Sequence, residues 1–145
     1  MELIELGYLG LFIGTFLSAT ILPFPSDVIV ISAYELEYSV APVLAVATLG
    51  NLFGGLTNYY IGYIGNSERL IKKFKLNQVK LDLWESRLSK WGIYLGLISW
   101  FPIIGEPMVA AFGFFRVKLV PLAFMMLLGK LIRYSALTAI YFNVF

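Results

Sequence analysis

The sequence predicts an all-α integral membrane protein. Its plan is an inverted repeat of two units, each a re-entrant helical hairpin plus a transmembrane helix, joined by a basic amphipathic segment. Three observations carry this. The 145 residues are 59% hydrophobic and 14% charged, where soluble domains average about 25% charged. Two of four apolar blocks carry prolines in their interior. The two halves of the chain match when shifted by 79 positions.

The apolar excess is more than one small soluble domain hides in its core. Cysteine and histidine are absent, which removes disulfides, thiolate nucleophiles, the commonest metal ligand and the usual general base. Neither a Walker loop nor a Ser–His–Asp set is present, and the glycine-rich runs lack the strand context of a phosphate loop. The chain reads as a non-enzyme with no cofactor, no metal and no nucleic-acid partner. Hydrolysis by the Asp27/Glu106 carboxylate pair is the enzymatic alternative, on a weak signal.

The apolar blocks run over about 3–34, 40–65, 91–115 and 119–145. The first holds Pro23, Pro25 and Asp27. The third holds Pro102, Gly105, Glu106 and Pro107. Interior prolines break a helical ladder, and broken backbone at membrane depth needs protein or water around it. Both blocks therefore read as hairpins that enter, turn at a proline-rich tip and leave on the same side; two kinked spans are the alternative. The acidic start, Glu2 and Glu5, argues against a signal peptide. Blocks two and four have the roughly 20 apolar residues of a full span, with Pro42 and Pro121 near their starts, where a missing N–H costs little.

The bridge, 66–90, carries Arg69, Lys72, Lys73, Lys75, Lys80, Arg87 and Lys90. Leu81, Trp84, Leu88 and Trp91 repeat at helical spacing, and Asn77 is placed to cap a second short helix. This segment lies on the membrane surface, either as a cytoplasmic loop obeying the positive-inside rule or as an anionic-lipid patch centred on Lys72, Lys73 and Lys75. With two hairpins and two spans, Arg116 and Lys118 join the bridge on one side. The other side keeps only Glu2, Glu5, Glu35 and Glu37. The bridge is then cytoplasmic and both termini lie outside.

At the shift of 79, Pro23 meets Pro102, Asp27 meets Glu106, Pro42 meets Pro121 and Gly50 meets Gly129 without a gap. Each half, about 3–65 and 91–145 of a single domain, is a hairpin plus one span, so the halves take opposite orientations, as in many transporters. Chance similarity of two apolar segments is the alternative.

Asp27, Glu106, Lys130 and Arg133 lie within apolar blocks, at about 2.5–3.5 kcal/mol each if unpaired. Two acids and two bases suggest a neutral cluster, either a midplane transport site or salt bridges that pin the hairpins. Gly50 and Gly54 form a small-residue face for close helix approach. Asn51 and Asn58 add hydrogen-bonding groups that packing alone does not explain. Small-residue stripes also make a homo-oligomer a candidate.

These residues resemble the DedA family, also called SNARE-associated or VTT-domain membrane proteins. The segments are Leu22-Pro23-Phe24-Pro25-Ser26-Asp27, Gly50-Asn51-x-x-Gly54 through Gly62, and Phe101 to Pro107 followed by Ala111-Phe112-Gly113. The short chain and the Gly-Glu-Pro tip are most similar to the YqaA-like branch. The resemblance covers nearly the whole chain. It implies re-entrant hairpins in a bacterial inner membrane and translocation of lipid or lipid-linked phosphate head groups coupled to the proton-motive force. It also implies a functional role for Asp27. Where the family carries a further acid this chain has Thr15, and where it carries two arginines this chain has Ser99 and Gly105. Lys130 and Arg133 are the candidate substitutes. A proton- or cation-coupled small-solute transporter and a non-transporting membrane organiser are the rival functions.

Overall fold

A computed structural model describes residues 2–20, 25–66, 72, 75, 77–99 and 105–144. Pro23, Pro102 and Lys73 lie outside the described residues, so the two hairpin tips are seen only through Pro25, Gly105 and Pro107. The described residues form six α-helices: α1 (Glu2–Ser18), α2 (Ser26–Glu35), α3 (Val40–Gly65), α4 (Gln78–Leu95), α5 (Gly105–Phe114) and α6 (Leu119–Val144). A 3₁₀ turn, Gly96–Ile98, follows α4.

Helices α3 and α6 have 26 residues each and mean hydropathies of 1.6 and 1.4. At 1.5 Å per residue each reaches about 39 Å, enough for a hydrocarbon core of about 30 Å. Helices α1, with 17 residues, and α2, with 10, are shorter.

Contacts set the helix directions. Gly14 faces the Ile29 side chain and Gly7 faces the Tyr38 hydroxyl, so α1 and α2 run antiparallel. Gly50 abuts Phe12 and Thr15, and Gly54 abuts Phe16 and Ala19, so α3 runs parallel to α1. Asn51 meets Lys130 and Gly55 meets Met126, which makes α3 and α6 antiparallel. The Gly50–Gly54 face thus receives α1: a Cβ on Gly54 would stand 2.2 Å from the Phe16 carbonyl oxygen.

The bounds of α2 and α3 recur in α5 and α6 at an offset of 79, the separation of Asn51 and Lys130. Local detail recurs with them. After α2, Leu36 N–H donates to Ser32 O and Tyr38 N–H to Ala33 O; after α5, Phe115 N–H donates to Ala111 O and Val117 N–H to Phe112 O. Glu37 (φ 64°) and Arg116 (φ 56°) take the left-handed conformation in these two turns. That conformation costs a non-glycine residue about 1–2 kcal/mol. The buried positions match as well: Ser26, Val30, Ala33 and Tyr34 in α2, against Gly105, Val109, Phe112 and Gly113 in α5.

Helix α4 departs from the expected stripe. Asn77 caps it, accepting from Val79 N–H and Lys80 N–H. The helix continues through residue 90, so the expected edge between bridge and second hairpin falls inside one helix. Leu81 and Leu88 are half-buried, whereas Trp84 and Trp91 are exposed. Gly92 faces Val117 in the inward row. That row runs at steps of four and seven from Leu81, so it diverges from the tryptophans around the helix.

Two clusters hold the core. Leu11, Val30, Ala33, Tyr34, Val43, Ala47 and Tyr134 form one. Leu52, Tyr59, Val109, Phe112, Val117, Leu122 and Met126 form the other. Asn51 lies between them in sequence along α3, and Lys130 and Arg133 lie between them along α6.

Candidate functional site

Asp27 and Glu106 occupy the second residue of α2 and of α5. A carboxylate in a first turn faces the positive end of the helix dipole. Gly105 and Pro107 flank Glu106 inside that turn, and Pro25 is the N-cap residue of α2. A proline in the first turn removes no intrahelical hydrogen bond, so these tip residues open helices.

Lys130 comes from the middle of α6 and is 1% exposed. Its Nζ donates to Glu106 Oε1 at 3.1 Å and to Asn51 Oδ1 at 2.5 Å. Asn51 Nδ2 donates to the Thr15 carbonyl at 3.1 Å. Asn58, two turns further along α3, donates to Glu106 Oε2 at 2.9 Å and to the Ala19 carbonyl at 2.6 Å. The two asparagines thereby tie the Lys130–Glu106 pair to the end of α1. A buried charge needs such a set of partners, since an isolated one is costly and a missing partner leaves the other uncompensated.

Arg133, one turn along α6, donates to Asp27 Oδ1 at 2.8 Å. This pair is more open: the side chains are 18% and 36% exposed. The guanidinium carbon lies 5.6 Å from the centre of the Tyr134 ring. Tyr134 is buried and donates its hydroxyl to Ser26 Oγ at 2.6 Å. The structure therefore brings Asp27, Glu106, Lys130, Arg133, Asn51 and Asn58 into two neighbouring ion pairs and their hydrogen-bonded surround. Lys72 and Lys75 are exposed and stand outside this centre.

Tyr134 and Ser26 are site residues that the sequence pattern does not single out. The available signal is adjacency: each directly neighbours a charged residue of the site, Arg133 and Asp27. Tyr34, whose hydroxyl pairs with Thr138 Oγ1 at 2.6 Å, is equally silent in the sequence; of Tyr59 and Tyr60, the two adjacent hydroxyls that the sequence offers as hydrogen-bonding groups, it is Tyr59 that donates inward, to the Val117 carbonyl at 2.5 Å. These bonds join residues far apart along the chain, which no local spacing reports.

The arrangement places two acids and two cations against apolar helices, with Lys130 fully buried, Glu106 27% exposed and the Arg133–Asp27 pair open at both ends. Among the described residues, no group of three or more Asp or Glu side chains is placed to hold a metal ion.

No family model matches the chain, and no solved structure does. Curated relatives do match over most of its length. The inner membrane protein YqaA of Escherichia coli is 34% identical over 139 residues, covering 92% of this chain and 90% of its own. An uncharacterized protein of Haemophilus influenzae is 33% identical over 136 residues, covering 88% and 82%. An uncharacterized protein of Methanocaldococcus jannaschii is 28% identical over 133 residues, covering 90% and 81%. With a relative of this identity matched nearly end to end, and two helices long and apolar enough to cross a membrane, the chain belongs to the family of the inner membrane protein YqaA.

Proposed function

We propose that this chain is a multi-pass inner-membrane transporter of the DedA type that translocates lipid or lipid-linked phosphate head groups, driven by the proton-motive force. Its two halves are inverted repeats, and α1–α2 and α4–α5 are re-entrant hairpins inserted from opposite sides. Support comes from helix direction. Helix α2 returns antiparallel to α1 before α3 crosses, and α3 and α6, the equivalent spans, run antiparallel. A charged site halfway along antiparallel equivalent spans is the plan of inverted-repeat transporters.

The observation that carries the reading is the ion-pair pattern. Each hairpin contributes one carboxylate to one cation of α6: Glu106 to Lys130 and Asp27 to Arg133. Protonating a carboxylate neutralises it and leaves its cation to an anionic head group. The hairpin then shifts against the span, and access changes sides. Proton binding and head-group binding are thus coupled through one residue pair.

Two of the chain's three departures from the DedA pattern replace the family's arginines. Ser99 is buried, and a Cβ on Gly105 would sit 1.9 Å from the Ser99 carbonyl oxygen. Arginines at these two positions have no room in this backbone, so the anion-binding role falls to α6, which carries the cations of the site.

The test is reconstitution. Wild-type protein in vesicles with an imposed proton gradient is expected to move a fluorescent phospholipid between leaflets, and Asp27→Asn is expected to abolish this while keeping the wild-type unfolding temperature. Unchanged lipid movement by Asp27→Asn would sink the coupling scheme. Ion or solute flux without lipid movement would assign the chain to small-solute transport. A protein that needs neither acid nor cation for its cellular role would be a membrane organiser.

A further inference from the structure

The α3–α5 and α2–α6 seams are equivalent under the 79-residue offset, yet they are built differently. At the α3–α5 seam backbone meets backbone. A Cβ on Gly62 would lie 1.8 Å from the Ala110 carbonyl oxygen, and one on Gly113 would lie 1.8 Å from that of Tyr59. Side chains then clamp backbone across the seam: Tyr59 hydroxyl to Val117 O at 2.5 Å, Asn66 Nδ2 to Phe114 O at 2.5 Å. The Arg116 guanidinium caps it, 4.1 Å from the Tyr63 ring centre.

At the α2–α6 seam the counterparts of Gly113 and Gly62 are Tyr34 and Tyr141, whose ring centres stand 5.5 Å apart. Here side chain meets side chain: Tyr34 with Thr138, Tyr134 with Ser26, Arg133 with Asp27, Tyr141 with Glu35. Such contacts can exchange for water or a ligand without stranding a backbone group, which is the costly event in an apolar medium. Lys130 is sealed behind Asn51 and Glu106, whereas Arg133 lies on the separable seam beside a half-exposed carboxylate.

We infer that Arg133 alone of the two cations receives the ligand, a phosphate monoester anion, which reaches it by parting α2 from α6, and that Lys130 is a fixed structural charge. The inference rests on the transport reading for the site's purpose, but binding reads it without transport. Arg presents a planar fork that matches a phosphate bidentately.

The experiment uses the whole chain in a non-ionic detergent and isothermal titration. The probes are dihexanoyl phosphatidic acid, inorganic phosphate, and dihexanoyl phosphatidylcholine as the zwitterionic control. Arg133→Gln is expected to weaken phosphatidate binding about tenfold or more, as loss of a charge-assisted contact does. Asp27→Asn/Arg133→Gln, which leaves no unpaired charge, is expected to match it. Binding through the phosphatidate alone assigns the site to a lipid head group; equal binding of inorganic phosphate assigns it to free phosphate at the same Arg133.

Since the chain lacks cysteine, the seams can be bridged separately with a short bis-maleimide. A bridge in Glu35→Cys/Tyr141→Cys is expected to abolish binding, and one in Tyr63→Cys/Arg116→Cys to leave it within about twofold of the unbridged protein, since the α3–α5 seam stays closed. Wild-type affinity in both Arg133 variants, or equal effects of the two bridges, would overturn the inference. Intact binding of this pattern without lipid movement in vesicles would instead remove the transport reading and leave the Arg133 site standing.

Discussion

Lys130 donates its ammonium to Asn51, the residue 79 positions before it, at 2.5 Å. The same offset relates α2 to α5 and α3 to α6. Under the proposed inverted repeat, a residue that touches its own counterpart lies at the axis relating the halves. The chain places there the most buried charge among the described residues, and fills the two equivalent positions with an ammonium and an amide. Two ammonium groups at that distance would repel each other, so the repeat has to be broken in sequence where it meets itself in space.

Lys130 is 1% exposed and paired with Glu106. Lys130→Met removes the cation that Glu106 and Asn51 share and is expected to cost about 3–5 kcal/mol. Lys130→Met/Glu106→Gln removes both charges and is expected to recover much of that loss. Unfolding in detergent micelles, followed by tryptophan fluorescence, measures the difference.

The glycines divide by what surrounds them. Gly113→Ala would push a methyl into the Tyr59 carbonyl, 1.8 Å away, and is expected to destabilise by about 1–3 kcal/mol or more. A Cβ on Gly10 would meet nothing within 4 Å, so Gly10→Ala is expected to be neutral or to stabilise α1 by up to about 1 kcal/mol. The same micelle assay compares the two.

Tyr59 is buried and its hydroxyl donates to the Val117 carbonyl, while Tyr60 is 52% exposed. Tyr59→Phe strands that carbonyl and is expected to cost about 1–3 kcal/mol. Tyr60→Phe is expected to change stability by less than about 0.5 kcal/mol. Equal losses would show that the α3–α5 clamp does not depend on this bond.

The absence of cysteine makes topology directly readable. Leu36 is 71% exposed at the end of α2, and Lys75 is exposed in the basic segment. In intact cells a membrane-impermeant maleimide is expected to label Leu36→Cys and to reach Lys75→Cys only after permeabilisation. Labelling of both from outside would contradict opposite placement of the two segments.

Helix existence follows from the sequence alone because it depends on local composition. Runs of apolar residues with prolines only at their starts make α3 and α6 span-length helices in any context where backbone must satisfy itself. The same logic marks Asp27, Glu106, Lys130 and Arg133, since a charge in an apolar block has to find a partner. Which carboxylate takes which cation is not legible there. That choice depends on the relative rotation and direction of α2, α5 and α6, set by glycine contacts and by Tyr34 and Tyr141 acting as spacers. The tryptophans of α4 leave their expected face for a related reason: spacing defines a helical face, but only the neighbouring helix, here reached through Gly92 and Val117, decides which face turns inward. Composition and periodicity thus determined the elements and the charged residues they had to shelter. Only tertiary packing decided that Lys130 is sealed and Arg133 is open, because backbone contact is possible where both residues are glycine and impossible where both are tyrosine.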